Sequence, residues 1–343
     1  MSTLTEAAIF SKKASVWVVI GAAALIALFV FLGIGSMIKR AVFPTPPPPA
    51  TVAFSKIPRF DYSEGFTVPP GETFILETVS GELPQLADKG KVFAIEIGYS
   101  SFGELDDLKK RAEQLKFTGS FVELPGGKVK FTDPRDPDRV LTVDKVTGNF
   151  TLTTNYASKA EIVTGRPSSL EDAIRSAQNF FADFGVWELE FPKEKIETKF
   201  QRIDGTKLTQ TQSLNTANLI EVDFFRTNID KMPVIWAVEN KPLVSVLVSQ
   251  EGIVAANLDI TPVRKSLFAS YPLKDVRSAF EELKSGGGAF NRPITASEIV
   301  ISDVSLGYVE SAKNNEYLEP VYLFRSPNGL IGYVPAVNEL WVK

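Results

Sequence analysis

Carboxylates are the side chains whose type and spacing could do chemistry in this sequence of 343 residues. Asp133, Asp136 and Asp138 lie close together, with Asp144 nearby. Oxygens at such spacing could surround a calcium ion, which takes about six to eight oxygen ligands. The intervening prolines and Arg135 do not fit an EF-hand loop, and Asp-Pro pairs are typical of turns. We therefore expect a solvated loop here rather than a metal site.

A second carboxylate pair, Glu188 and Glu190, would share one face if its segment were a strand. Two carboxyls roughly 5–10 Å apart can cleave a glycan. However, alternating charges on a strand are typical of a solvent-facing side, and pairs arise by chance among 41 acidic residues. This pair leaves a carboxylate-dependent hydrolase of envelope glycans as an alternative function.

The sequence contains no histidine and no cysteine. This composition excludes Ser-His-Asp triads, cysteine nucleophiles, Cys/His zinc sites and disulfides. A serine–lysine dyad stays open, although no surrounding motif selects one. The formal net charge of -4 also makes nucleic acid an unlikely partner. We expect no catalytic, metal-binding or cofactor-binding residues and no enzymatic activity.

Residues 16–38 form an uncharged apolar run with two basic residues on each side. As a helix with a rise of about 1.5 Å per residue, this run could cross the hydrocarbon layer of a bilayer, which is roughly 30 Å thick. The run predicts an uncleaved signal anchor and a single-pass plasma-membrane protein. The flanking charges leave the orientation open. Because long domains translocate largely regardless of charge, the C-terminal domain is expected to be extracytoplasmic, with the opposite topology as the alternative.

Small residues recur within this predicted span. Ala23 and Ala27 are separated by three residues, and Gly33 and Ser36 follow. Small residues let two membrane helices approach closely. These four positions are therefore the predicted helix–helix contact, and a second membrane protein is a possible partner.

Apolar periodicity predicts three helices, each followed by strands. Residues at spacings of three and four form apolar stripes around positions 105–115, 170–184 and 273–283. The last hairpin after each helix contains Gly148, Gly252 or Gly329. The predicted fold class is α+β, with one N-terminal transmembrane helix followed by repeated units of one helix and an antiparallel β-meander. The predicted organisation is a cytoplasmic stub (1–15), the span (16–38), a Pro-rich linker (39–56), an α+β subdomain (57–165) and a second one with two units (166–343).

The anchor, the repeated units and a closing segment together resemble the YycH/YycI type of extracytoplasmic regulatory protein and, more loosely, PepSY-like units. The closing segment reads Tyr317-Leu-Glu-Pro-Val-Tyr-Leu-Phe324, followed by Tyr333-Val-Pro-Ala336. The resemblance is best over residues 166–262 and 271–343. It implies a non-catalytic module that binds a membrane partner, in that family a sensor histidine kinase.

These observations favour a membrane-anchored extracytoplasmic binding or regulatory protein, without catalytic activity, that acts through a protein or a cell-wall component. The alternatives are the glycan hydrolase and a structural subunit of an envelope assembly. The sequence leaves the oligomeric state open.

Overall fold

Strands dominate the part of the chain that the computed structural model describes, which comprises residues 49–69, 71–95, 105–185, 191–192, 195–239, 241–260, 263–311 and 316–343. Strands hold 42% of these residues and helices 18%. The helices are α1 (Leu105–Gln114), α2 (Ala160–Thr164), α3 (Leu170–Asp183) and α4 (Val276–Lys284). The strands are β1 (Thr73–Leu76), β2 (Lys89–Ile95), β3 (Phe121–Leu124), β4 (Lys128–Asp133), β5 (Asp136–Asp144), β6 (Phe150–Thr153), β7 (Ile196–Asp204), β8 (Lys207–Thr211), β9 (Leu219–Phe224), β10 (Val234–Trp236), β11 (Val244–Ser249), β12 (Gly252–Leu258), β13 (Val263–Pro272), β14 (Ala289–Phe290), β15 (Glu298–Ile301), β16 (Asp303–Glu310), β17 (Tyr317–Leu318), β18 (Pro320–Arg325) and β19 (Ile331–Pro335).

Nine strands form one antiparallel sheet in the order β3-β4-β5-β6-β12-β11-β9-β7-β8. Burial alternates along β4, β6 and β11, as expected when one face is covered and the other is not. The covered face packs on α1 and α3 in a core that includes Phe150, whose ring lies 4.4 Å from that of Phe184. We call this sheet with its helices the first region. Part of its opposite face is covered by α2 in a smaller apolar cluster that includes Ile162, Leu219 and Val254, and polar residues line the neighbouring strands.

Helix α3 shows how the sequence sets these boundaries. The Ser169 hydroxyl accepts a hydrogen bond from the Asp172 backbone N–H at 3.0 Å and caps the helix. The capping-box spacing of Ser168 and Glu171 in the sequence predicts a cap one residue earlier than the structure shows. Gly185 follows the last turn with φ +82°, a conformation that glycine adopts at little cost.

The second region comprises residues 50–95, β10 and residues 263–343. It contains a five-stranded sheet (β10-β16-β18-β19-β14), a three-stranded sheet (β13-β2-β17) and the parallel pair β1-β15. Helix α4 packs its buried face, Ala279, Phe280 and Leu283, into the core of these sheets. The Asp275 carboxylate caps α4 by accepting hydrogen bonds from the N–H groups of Arg277 and Ser278, both at 3.0 Å.

One crossing of the chain ties the two regions together. After β9 the chain leaves the nine-stranded sheet, pairs β10 in parallel with β16, and returns as β11. At the crossing, Arg226 Nη1 donates to Glu310 Oε1 at 2.5 Å, and both side chains are 2% exposed. The rings of Phe225 and Trp236 stack beside this pair with centroids 4.0 Å apart.

The predicted fold class is wrong. The three predicted helices exist, but they do not head repeated units. The strands after α1 and those after α3 merge into one sheet, and β1 and β2 pair with strands about 170 or more residues later. The described chain is therefore mostly β. Strand partners are chosen by long-range packing, which periodicity does not report.

The predicted single-pass plasma-membrane localisation is also contradicted. Among the described helices, none is long and apolar enough to cross a membrane; α3 has 14 residues and α1 has 10. The segment on which the prediction rested, residues 16–38, lies outside the described residues.

Residues 50–343 form one compact unit by their internal contacts. The predicted stub and span, and residues 39–48 of the predicted linker, lie outside the described residues. The predicted division of the rest at residues 165 and 166 stays a prediction, although strands from both sides of it share the nine-stranded sheet.

Candidate functional site

An apolar cleft in the second region is a recess suited to an organic group. It has a volume of about 570 Å³ and lies between the loop 292–297, strand β15 and the turn 326–330. Its base includes Ile299 and Leu330, which are buried, and its sides include Pro293, Ile294 and Pro327. Pockets of a few hundred Å³ with apolar walls and few polar groups are typical of binding sites.

Hydrogen bonds fix the two loops that form the cleft. The turn closes through Gly329 N–H to Ser326 O at 3.0 Å and Ser326 N–H to Leu330 O at 2.8 Å. Gly329 has φ +88°, which the turn needs. Arg292 Nη2 donates to Asn328 O at 2.6 Å and joins the opposite loop to the turn. The cleft is therefore held open by its own backbone and needs no rearrangement to form.

The rim of the cleft is acidic. Glu77 and Glu298 are exposed at the rim, and neither carboxylate has an ion-pair or hydrogen-bond partner among the described residues. The nearby Arg292 guanidinium lies 3.6 Å from Glu239 Oε2, so its charge is partly compensated. The Ser326 hydroxyl lies beneath the lining, where it is buried and has no hydrogen-bond partner in the described structure. The cleft thus combines apolar walls with a negative rim.

A cluster of charged side chains lies on the nine-stranded sheet, apart from the apolar cleft. Lys199 Nζ lies 2.7 Å from Asp223 Oδ2 and 3.9 Å from Glu221 Oε1. Burial raises the pKa of Asp223 to about 7, and the charge of Glu221 adds to this rise, while Lys199 opposes it. Burial alone would lower the pKa of Lys199, but the contact with Asp223 outweighs it and raises that pKa. Asp223 is fully enclosed and cannot touch a substrate directly.

Glu319 is the corresponding buried carboxyl of the second region. It is 4% exposed and has no hydrogen bond or ion pair within the described chain. Burial raises its pKa to about 8, and the charge of Lys274 opposes this rise only in part. The side chain is therefore protonated at neutral pH.

The sequence-predicted site residues fall in different places. Ala23, Ala27, Gly33 and Ser36 lie outside the described residues, as do Glu188 and Glu190. The acidic run folds into the β4–β5 hairpin, and nowhere in the described chain do three or more acidic residues form a group that could hold a metal.

Asp133 is not solvated as expected, because it is 4% exposed and bonded to Arg139 at 3.2 Å. Burial would raise the pKa of Asp133, but hydrogen bonds and charges from Arg135 and Arg139 outweigh it and lower the pKa. This acidic side chain therefore stabilises the hairpin rather than facing a ligand.

Sequence reasoning missed the cleft. The signal available was the turn Ser326-Pro327-Asn328-Gly329, which is recognisable as a turn but not as one wall of a recess. Arg292 and Glu77 reach the same place only through tertiary pairing, since β1 pairs with β15.

Comparisons with known proteins identify no family for the chain. No protein family and no curated protein matches it. Among solved structures, it is similar to an uncharacterized protein from Eubacterium rectale ATCC 33656, with 15% identity and a TM-score of 0.36 over 72% of this chain and 82% of that one. A similarity at this level carries no statement about the fold or the function.

Proposed function

We propose that this protein is a non-catalytic binding module that acts through a partner protein. The observation that supports the proposal is the apolar cleft with its acidic rim. The partner presents an apolar side chain that fills the cleft, with lysine or arginine beside it to meet Glu77 and Glu298. Buried apolar anchors in fixed pockets carry most of the energy of protein interfaces, and rim charges steer the encounter.

The YycH/YycI resemblance would make the partner a sensor kinase, and this stays a prediction. The hydrolase alternative gains no support from Asp223, the buried acid whose pKa reaches about 7, because that carboxyl is enclosed. A structural subunit would also use a docking cleft, and the mass of the purified protein in solution distinguishes it from a monomeric regulator.

The test measures binding of fluorescent peptides to the full-length protein. Each peptide carries one central leucine, phenylalanine or tyrosine, flanked either by lysines or by glutamates. We expect the lysine-flanked peptides to bind more tightly by at least threefold at low salt and the difference to shrink at high salt. The double variant Glu77→Lys and Glu298→Lys is expected to reverse this preference.

A variant that fills the cleft provides the specific control. Ala296 is exposed at the mouth, so Ala296→Trp blocks entry without disturbing the core, and binding is expected to weaken by about tenfold or more. Val146→Trp, at an exposed turn of the first region, is the matched control and leaves binding unchanged. Equal affinities for all peptides and both variants, or no binding at all, would contradict the proposal.

A further inference from the structure

A row of polar residues crosses the face of the nine-stranded sheet that lies opposite α1 and α3; Asp223, near one end of the row, is fully buried. The strand register places each member directly opposite the next on the neighbouring strand. From β4 to β7 the row reads Lys130, Thr142, Thr151, Asn257, Ser245, Asp223 and Glu197. Opposite residues of antiparallel strands have their Cβ atoms about 5 Å apart, so the row is a continuous polar strip.

The strip contains a recess at β4, β5, β6 and β12. The recess has a volume of about 250 Å³, and Thr142, Thr151 and Asn257 from the strip line it together with Lys128 and Asp144. These five residues lie on four strands that are adjacent in the sheet. Strands hold side chains more firmly than loops do, so the polar groups keep a fixed spacing.

Several polar groups in this recess are not engaged by the protein. The hydroxyls of Thr142 and Thr151 and the ammonium of Lys128 have no hydrogen-bond partner or ion pair within the described residues. Each threonine hydroxyl can donate one hydrogen bond and accept others, and the ammonium can donate three. These groups therefore offer both donors and acceptors to a ligand.

Other polar side chains are held in place by hydrogen bonds within the protein, and each keeps an oxygen that can accept a hydrogen bond from a ligand. Asn257 Nδ2 donates to Leu243 O at 3.0 Å, which leaves the Asn257 carbonyl oxygen as an acceptor. Asp144 Oδ1 accepts from the N–H groups of Val146 at 2.7 Å and Thr147 at 3.1 Å, which leaves its second oxygen. Asp259 Oδ1 accepts from Asn149 Nδ2 at 3.0 Å. The protein thus orients these groups in advance of binding.

The chemistry of the recess selects against most ligand classes. The charges in the recess are of mixed sign: burial raises the pKa of Asp259 and the ammonium of Lys128 opposes this rise, so neither an anion nor a cation meets a field of one sign. Apolar ligands find little apolar wall, because the one aromatic residue among the lining residues, Phe150, is buried in the core. What remains is a small neutral molecule with many hydroxyl groups, which both donate and accept.

We infer that this recess binds a single sugar ring or a polyol of similar size. The volume is below the range of drug-sized pockets, so the recess holds one ring rather than a chain. The cross-strand spacing of the two threonines and Asn257 is comparable to the separation of hydroxyl groups across a sugar ring. This site is independent of the apolar cleft and of the partner protein proposed there.

The test is ligand-observed saturation-transfer NMR on the full-length protein with D-glucose, N-acetyl-D-glucosamine and myo-inositol. We expect saturation transfer to at least one of the three, with a millimolar dissociation constant, because no aromatic ring stacks on the ligand. Inorganic phosphate, followed by phosphorus NMR, is expected not to bind.

Isosteric variants locate the binding. Thr142→Val and Thr151→Val remove one hydroxyl each and keep the shape and strand propensity, and each is expected to weaken binding about threefold to tenfold. Thr153→Val lies on the same strand and the same face as Thr151 but outside the recess, and leaves binding unchanged. Chemical denaturation of each variant checks that the fold is intact.

Two outcomes would overturn the inference. One is no saturation transfer to any of the three probes, which would show that the strip is merely solvated, as one face of many antiparallel sheets is. The other is saturation transfer of equal strength in Thr142→Val, Thr151→Val and the control Thr153→Val. Peptide binding at the apolar cleft is measured in the same variants and is expected to be unchanged, so a failure here leaves the proposed function standing.

Discussion

The two regions of this protein bury acidic side chains in different ways. In the first region, Asp223 is fully buried but contacts Lys199 at 2.7 Å. In the second region, Glu319 is 4% exposed and has no such contact within the described chain. Burial nevertheless raises the pKa of both carboxyls, to about 7 and about 8. The comparison shows that one lysine does not offset the desolvation of a buried carboxyl when a second carboxylate, here Glu221, lies beside it.

The largest effect is expected where the two regions meet. Glu310→Ala removes one partner of the pair that Arg226 and Glu310 form, with both side chains 2% exposed. The variant leaves the buried guanidinium without the carboxylate that it contacts, so we expect the free energy of unfolding to fall by about 3–5 kcal/mol. Chemical denaturation measures this loss.

A double variant separates the charge from the packing at the same place. Arg226→Met with Glu310→Leu removes both charges and keeps much of the volume, and we expect it to recover most of the stability. If the double variant is as unstable as Glu310→Ala, the loss comes from packing rather than from an unpaired charge.

The next effect concerns Glu319 and depends on pH. Its pKa is about 8 in the folded protein against 4.5 for the free side chain, so the folded state holds a proton that the unfolded chain releases. The contribution of Glu319 to the free energy of unfolding is therefore fully present below about pH 4.5, and it is lost as the pH rises through about 8. Glu319→Gln resembles the protonated side chain and is expected to stabilise the protein at pH 8.5 by roughly 4 kcal/mol relative to its effect at pH 4.5.

Glu298→Gln is the matched control, because this glutamate is exposed and has no ion pair within the described chain. Its effect on stability is expected to be small at both values of pH. A flat pH profile for Glu319→Gln would mean that solvent reaches the carboxyl.

A smaller effect is expected at the N-terminal caps of α3 and α4, which differ in charge. Ser169 caps α3 with a neutral hydroxyl, and Ser169→Ala is expected to cost about 1 kcal/mol at every pH between 4 and 8. Thermal unfolding at two values of pH measures this. A cost of zero would show that Asp172, whose carboxylate also contacts the hydroxyl at 2.8 Å, or solvent takes over the cap.

The smallest effect is the pH dependence of the cap on α4. Hydrogen bonds from Ser278, and from the backbone of Arg277, lower the pKa of the exposed Asp275 carboxyl. A lowered pKa in the folded state means that the stabilisation is present above about pH 4 and is lost as the pH falls below it. Asp275→Ala is therefore expected to destabilise the protein by less than about 1 kcal/mol at pH 7 and to have no effect near pH 2, in contrast to Ser169→Ala.

The helices were predictable from the sequence because their signal is local. The apolar stripes that include Leu108, Ala177 and Phe280 fall on buried faces as predicted. Gly148, Gly252 and Gly329 have φ of +76°, +118° and +88° at their hairpin turns, also as predicted. Each of these features depends on residues within one or two turns of the chain.

The strand partners and the candidate sites were not predictable, because they depend on residues far apart in the chain. The pairing of β1 with β15, which sets Thr73 opposite Glu298, brings Glu77 to the apolar cleft. No local sequence pattern around these residues predicts this pairing. In the polar strip, the sequence around Thr151 predicts only an ordinary strand residue. The strand register places Thr151 between Thr142 and Asn257. The strand register decides which side chains meet. A shift of the register by one residue would separate the residues that form the apolar cleft and those that form the recess in the polar strip.

The long-range pairing of β2 has a consequence for synthesis on the ribosome. Val92 pairs with Ala269, which is made 177 residues later. At about 5–20 residues per second, β2 waits roughly 9–35 s for its partner strand. The last strand of the nine-stranded sheet ends at Leu258, 11 residues before Ala269, so every strand of that sheet is made before β2 meets β13. Throughout that wait the apolar side chains of Val92 and Phe93 lack their final cover, so β2 is the part of the nascent chain that a chaperone would protect.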